Sequence, residues 1–253
     1  MILTALGTGT AAPEPDRVCS GYLLETGELR LLMDCGPGVV HRMARLGIEW
    51  RTITHLLVTH FHNDHIGDIP MLFFAWKYGM RPARSEPLTV IGPKGTKKLF
   101  EKMAGVFGDH LSEPPFEVRF DEVEDGDERR ISDVARVTAG KTQHTQESVA
   151  YRLESGNRSV CYTGDTGMSD HVAKLAQGVN TLLIECSVPD EEAMETHLSP
   201  SQLAAMARVA LPHRLLVTHV FPQLDRDRIP ELVRLGGWPA KVEVAVDGER
   251  YEI

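Results

Sequence analysis

The feature that most constrains this 253-residue chain is a polar run between two apolar segments, Thr59-His60-Phe61-His62-Asn63-Asp64-His65. Residues 53–58 before it are apolar and rich in β-branched side chains, which predicts a short buried strand. Residues 66–78 after it predict a helix with Pro70 in its first turns. Three histidines and an aspartate therefore lie where a strand passes into a helix, the usual place for a functional site in an α/β sheet.

The spacing inside this run predicts two metal ions rather than one. Side chains at positions i and i+2 of an extended segment point the same way, so His60 and His62 can bind one ion. Asp64 and His65 lie in the turn that follows and are placed to reach a second ion. Imidazole and carboxylate groups suit zinc, manganese or iron, and the lack of thiolates argues against a closed structural zinc site.

Composition narrows the expected partners and location. The formal net charge is −9 at pH 7, whereas proteins that hold long nucleic acids by their phosphates are normally basic. We therefore expect RNA binding to be weak and a small anionic substrate to suit the cationic centre. The opening six residues lack a basic region and no stretch is long enough to span a membrane, so we expect a cytoplasmic protein without a membrane partner. The four scattered cysteines predict neither disulfides nor a cysteine zinc site.

The order of the remaining elements predicts two sheets packed face to face with helices outside. Strand-like runs come in two batches, and each batch ends in helices. The first batch begins with a meander over residues 2–6, 20–25 and 29–33, and the second contains a hairpin over residues 149–153 and 159–162. No sequence repeat divides the chain, so the prediction is one α/β (α+β) domain over residues 1–253.

Three further metal-capable residues, His144, Asp165 and His219, each follow a strand-like run and have small or hydroxyl-bearing neighbours. Because the polar residues that follow strands converge at one edge of a sheet, these three can join the central run. The other histidines fall on predicted helices, a strand interior or loops, and structural roles are expected for them: His41, His55, His110, His171 and His213.

The His-x-His-x-Asp-His run, followed in order by those three residues, resembles the metallo-β-lactamase superfamily over nearly the whole chain. The resemblance implies a four-layer αββα sandwich and a hydrolase with two divalent ions, zinc first and manganese or iron as alternatives. It also implies a buried aspartate, Asp34, that orients a ligand. The implied ligands are His60, His62 and His144 for the first ion, Asp64, His65 and His219 for the second, and Asp165 for both.

Three segments resemble ribonuclease Z and its relatives, at residues 6–13, 182–186 and 196–204. By that match His197 would protonate the leaving oxygen and Glu185 would hold its ring, with Asp64 as a third catalytic residue. Ribonuclease Z proper inserts a long arm between the third histidine and the bridging aspartate to grip transfer RNA. Here only residues 145–164 fill that interval, enough for a hairpin.

The predicted activity is therefore hydrolysis of a small phosphodiester such as a cyclic nucleotide, as in the armless phosphodiesterases of this branch. Two alternatives stay open. One is 3′ processing of transfer RNA by a ribonuclease Z-type endonuclease, and the other is ester or amide hydrolysis of the β-lactamase type. A homodimer is compatible with the resemblance.

Overall fold

The computed structural model of the protein describes residues 1–253 and contains two seven-stranded sheets. The first sheet has the order β14-β1-β2-β3-β4-β5-β6 and the second the order β13-β12-β11-β10-β9-β8-β7. The strands of the first are β1 (Ile2–Gly7), β2 (Gly21–Thr26), β3 (Leu29–Met33), β4 (His55–Leu57), β5 (Leu88–Pro93), β6 (Val118–Val123) and β14 (Arg250–Glu252). Those of the second are β7 (Glu128–Arg130), β8 (Ala135–Lys141), β9 (Val149–Ser155), β10 (Arg158–Tyr162), β11 (Thr181–Glu185), β12 (Arg214–Thr218) and β13 (Val242–Val244).

The helices fall into two groups along the chain, one for each sheet. Between β3 and β6 lie α1 (Val39–Arg45), α2 (Asn63–Ile66), α3 (Ile69–Tyr78), α4 (Thr96–Phe107) and α5 (Asp109–Ser112). Between β10 and β13 lie α6 (Asp170–Leu175), α7 (Pro200–Ala210) and α8 (Ile229–Leu235). No helix combines the length and the apolar character that a membrane span requires.

Three buried apolar clusters define the layers. One joins residues of both sheets and so lies between them, one joins the first sheet to α1–α5, and one joins the second sheet to α6–α8. Alternation along a strand sends neighbouring side chains to opposite faces. Leu183 accordingly enters the cluster between the sheets, while Leu182 and Ile184 enter the cluster under the helices. The predicted αββα sandwich is confirmed.

Two predicted elements differ from the structure next to the central run. The helix predicted over residues 66–78 begins at Ile69, and Asp64 and His65 lie on the separate one-turn helix α2. Pro70 explains this break, because it has no N–H for the carbonyl of residue 66 and its ring would clash with that carbonyl. The strand predicted over residues 53–58 is shorter, since Ile53 ends a 3₁₀ turn at Trp50–Thr52.

Candidate metal centre

Strand ends from both sheets bring the predicted site residues to one rim of the sandwich. The central run follows β4, and His144 follows β8. In the second sheet β10, β11 and β12 are parallel neighbours, so their carboxyl ends lie side by side. Asp165 follows β10, Glu185 ends β11 and His219 follows β12. The structure therefore brings together all seven predicted ligands and the predicted Glu185–His197 pair.

The first group of potential ligands consists of His60, His62, His144 and Asp165, whose ligand atoms lie within 4.8 Å of one another. Nε2 of His144 lies 3.0 Å from Nδ1 of His62. Oδ2 of Asp165 lies 3.6 Å from Nε2 of His144 and 3.8 Å from Nε2 of His60. These three imidazoles and one carboxylate converge on a single point, as ligands of one cation do.

The second group consists of Asp64, His65 and His219, also within 4.8 Å of one another. Oδ2 of Asp64 lies 3.3 Å from Nε2 of His219 and 3.8 Å from Nε2 of His65. The other oxygen of Asp165, Oδ1, lies 3.3 Å from Nε2 of His65 and 3.5 Å from Nε2 of His219. One oxygen of Asp165 thus faces each group, which is the geometry that a bridging ligand needs.

The unpaired atoms at this centre are those that a cation would bind. Nε2 of His60, Nε2 of His65 and Oδ1 of Asp165 are buried without a hydrogen-bond partner. Buried polar atoms are rarely left in this state. Burial lowers the pKa of His60, helped by the charge of His65, so its ring is neutral and offers a lone pair. The nitrogen and oxygen donors, without sulfur, suit zinc, manganese or iron.

The protonation states of Asp165 and His65 have opposite effects on cation binding. Burial alone would raise the pKa of Asp165, but His219 and His65 hold it well below its usual range, so the carboxylate is ionised. Burial alone would lower the pKa of His65, but Asp165 and Asp34 raise it well above its usual range. A cation that binds here therefore displaces a proton from His65, and binding weakens as the pH falls.

Asp34 orients His65 as expected. It is fully buried and takes a left-handed backbone conformation at φ 56°, which aspartate tolerates better than most residues. Its carboxylate accepts hydrogen bonds at 2.8 Å from Nδ1 of His65, from the amide and hydroxyl of Thr59, and from the hydroxyl of Tyr162. Because Nδ1 of His65 donates to Asp34, its Nε2 is the nitrogen turned to the centre.

His197 lies against both groups of ligands. Its ring centroid is 4.8 Å from that of His144 and 5.8 Å from that of His219. Nδ1 of His197 lies 3.0 Å from Oε1 of the fully buried Glu185. Burial lowers the pKa of His197, but the hydrogen bond and charge of Glu185 outweigh that effect and raise it to about 9. The ligand atoms of His197, Asp165 and His219 also lie within 4.8 Å of one another. Because Nδ1 of His197 faces Glu185, its Nε2 is the nitrogen that borders the centre.

Sequence reasoning missed several residues that hold these side chains in place. Nδ1 of His144 bonds the carbonyl of Thr196 at 2.9 Å, and Oγ of Ser187 lies 3.1 Å from Nδ1 of His219. His219 itself takes a left-handed backbone conformation at φ 52°, and its N–H donates to the carbonyl of Thr8 at 3.2 Å. These contacts join segments far apart in the chain, so no local sequence pattern indicates them.

Comparison with known proteins places the chain in a family. A family model described as a β-lactamase superfamily domain matches residues 29–220. Ribonuclease Z of Mycolicibacterium gilvum is 33% identical over 277 aligned positions, which cover 99% of this chain and 96% of that protein. Ribonuclease Z of Mycobacterium bovis is 29% identical over an alignment that covers 99% of this chain and 98% of that protein.

Solved structures agree on the fold. The metallo-β-lactamase fold protein YhfI from Bacillus subtilis superposes with a TM-score of 0.84 at 22% identity and covers 99% of this chain and 98% of its own. The short form of human tRNase Z superposes with a TM-score of 0.81 at 22% identity, and the superposition covers 100% of this chain and 99% of that protein. The family and the His/Asp cluster together indicate that divalent metal is bound. The chain belongs to the metallo-β-lactamase superfamily, in which it is a ribonuclease Z-like, metal-dependent hydrolase.

Proposed function

We propose that the protein is a phosphodiesterase that uses two divalent ions and hydrolyses a small phosphodiester such as a cyclic nucleotide. The observation that carries this proposal is the Glu185–His197 pair, 3.0 Å apart and packed against the predicted ligands. A histidine held by a buried carboxylate can protonate a leaving oxygen. A sugar alkoxide needs that proton, whereas the thiolate released from a thioester does not.

Each residue of the proposed site then has a defined role. The seven predicted ligands would hold two ions, and bound ions there would supply activation of water and stabilisation of negative charge on the phosphoryl oxygens. Glu185 accepts a hydrogen bond from the Nδ1–H of His197. This bond turns the Nε2–H of His197 toward the centre. Asp64 keeps 13% of its side chain exposed, so its carboxylate can also accept a proton from water at the mouth of the site.

The surroundings of the centre support a small substrate. The interval between His144 and Asp165 is filled by the hairpin β9–β10, which leaves no arm to hold a folded RNA. The half-buried Phe221, whose ring lies 5.8 Å from that of His219, can flank a flat base.

Processing of transfer RNA at its 3′ end is the second candidate function. The ribonucleases Z that match this chain are covered over almost their whole length, which favours the same phosphodiester chemistry here. Two observations argue against a transfer-RNA substrate. The alignment with the M. gilvum protein runs over 277 positions, more than the 253 residues of this chain. That ribonuclease therefore has residues with no counterpart here, and the charge of −9 gives RNA little attraction.

A substrate panel tests the proposal. The zinc- or manganese-loaded protein is assayed with bis-p-nitrophenyl phosphate, cyclic nucleotides, dinucleotides, precursor transfer RNA, nitrocefin and a thioester. We expect phosphodiester turnover, with catalytic efficiency on cyclic nucleotides or dinucleotides above that on precursor transfer RNA. Asp165→Asn serves as the inactive control because it replaces the ligand that faces both groups.

Two results would overturn the proposal in different ways. Efficient and accurate 3′ cleavage of precursor transfer RNA at physiological salt would establish the ribonuclease alternative. Turnover of nitrocefin or the thioester without any phosphodiester turnover would establish an ester or amide hydrolase.

A further inference from the structure

Ser187 is fully buried and lies between Glu185 and His219. It lies two residues beyond Glu185, just past the end of β11. Its hydroxyl oxygen is 2.5 Å from Oε2 of Glu185, 3.1 Å from Nδ1 of His219 and 2.8 Å from the carbonyl oxygen of His219. The hydroxyl thus contacts one carboxylate, one carbonyl and one imidazole nitrogen.

The number of hydrogens available fixes the direction of these bonds. A serine hydroxyl has one hydrogen to donate and two lone pairs to accept with. The carboxylate of Glu185 and the carbonyl of His219 only accept, so the hydrogen points to one of these two oxygens. The short, charge-assisted contact with Glu185 is the stronger of the two. In either case Nδ1 of His219 must be the donor to Ser187.

This assignment fixes the tautomer of His219. With its hydrogen on Nδ1, the ring offers an unprotonated Nε2 to the centre, where Nε2 lies 3.3 Å from Oδ2 of Asp64 and 3.5 Å from Oδ1 of Asp165. Without Ser187, Nε2 could instead carry the hydrogen and donate it to either carboxylate. Such a ring could not bind a cation through Nε2.

We propose that Ser187 is a positioning residue that couples Glu185 to the second metal group. One oxygen of Glu185 holds His197, and the other, through Ser187, holds His219. A single buried carboxylate therefore aligns the proton donor and a metal ligand at the same time. The inference rests on the metal centre of the proposed function but concerns the binding of the second ion rather than the identity of the substrate.

Metal titration of the metal-free full-length protein tests this proposal. In Ser187→Ala we expect the affinity for one ion to fall about 10- to 100-fold, the usual effect of losing a group that orients a ligand. The other ion, bound by His60, His62 and His144, should keep its affinity. Ser187→Thr retains a hydroxyl and should restore the lost affinity.

A matched control separates this effect from the general loss of a buried hydroxyl. Ser159 is also buried and bonds Asn180, but it lies at the start of β10, at the far end of the strand from Asp165. Ser159→Ala should leave both metal affinities unchanged.

A spectroscopic measurement keeps the proposal testable even if the alanine variant does not fold. Nitrogen-15 NMR of the zinc-loaded wild type should show a slowly exchanging proton on Nδ1 of His219. Absence of that proton would overturn the proposal. So would a Ser187→Ala protein that folds and binds both ions as tightly as the wild type, or one that loses both ions equally. Two bound ions without phosphodiester turnover would refute the proposed function and leave this inference standing.

Discussion

Replacing His197 with alanine tests the proposed proton donor. His197 is held by a charge-assisted hydrogen bond of 3.0 Å to Glu185, and 15% of its side chain is exposed, so it is well positioned and largely shielded from water. We expect kcat to fall by about 10²- to 10⁴-fold for a nucleotide substrate, the usual effect of removing a positioned acid. That loss corresponds to roughly 3–5 kcal/mol of transition-state stabilisation.

The size of the loss should depend on the leaving group. A nucleoside alkoxide needs a proton as it departs, whereas p-nitrophenolate leaves with little assistance, so the p-nitrophenyl ester should lose far less. The assay compares kcat of the wild type and His197→Ala for a cyclic nucleotide, a dinucleotide and bis-p-nitrophenyl phosphate at saturating metal. Glu185→Gln should show the same pattern more mildly, because it weakens the orientation but keeps the donor.

Two outcomes would refute this reasoning. An equal loss for good and poor leaving groups would mean that His197 does not supply the proton. Loss of a metal ion from His197→Ala would mean that His197 is itself a ligand, since its ligand atom lies within 4.8 Å of those of Asp165 and His219.

The Glu185–His197 pair makes the stability of the metal-free protein depend on pH. The pKa of His197 is raised from its ordinary 6.5 to about 9, so the pair stabilises the fold fully below pH 6.5 and this contribution is lost as the pH rises through 9. The contribution is on the order of 3 kcal/mol. Urea unfolding of metal-free wild type and His197→Ala should therefore differ more at pH 6 than at pH 10, and a difference independent of pH would contradict this.

Two further substitutions test the backbone and the ligand support of the centre. Gly164→Ala should lower the free energy of unfolding by more than Gly156→Ala in urea titrations. Both glycines have φ near +55°, but a Cβ on Gly164 would lie 2.8 Å from that of Thr59, whereas Gly156 has nothing within 4 Å; equal losses would contradict the close approach. Asp34→Asn keeps the shape but removes a charged acceptor from His65, so metal affinity should fall about 10- to 100-fold in a chelator competition, and unchanged affinity would refute that role.

The sequence indicates which side chains the fold brings together because the signals for them are local. A strand is followed by closely spaced histidines and an aspartate, and the later ligands each follow a strand of their own. The parallel alignment of β10, β11 and β12 then brings Asp165, Glu185 and His219 to one rim without further information.

What the sequence did not indicate depends on contacts between distant segments. The proposed role of Ser187 rests on its contacts with His219, whose N–H donates to the carbonyl of Thr8, just beyond β1 of the other sheet. The edge strand β14 is three residues long and pairs with β1 at the opposite end of the chain, so its own sequence carries little strand signal. Such features follow from tertiary packing and not from periodicity.

The most direct test of the central claim is an anomalous difference map from crystals of the zinc-loaded protein at the zinc edge. Two peaks should appear, each about 2.0–2.2 Å from its nitrogen and oxygen ligands. One peak should lie among His60, His62 and His144, the other among Asp64, His65 and His219, with Asp165 between them. A single peak at saturating zinc, or peaks that do not touch these residues, would contradict the binuclear centre on which the proposed chemistry depends.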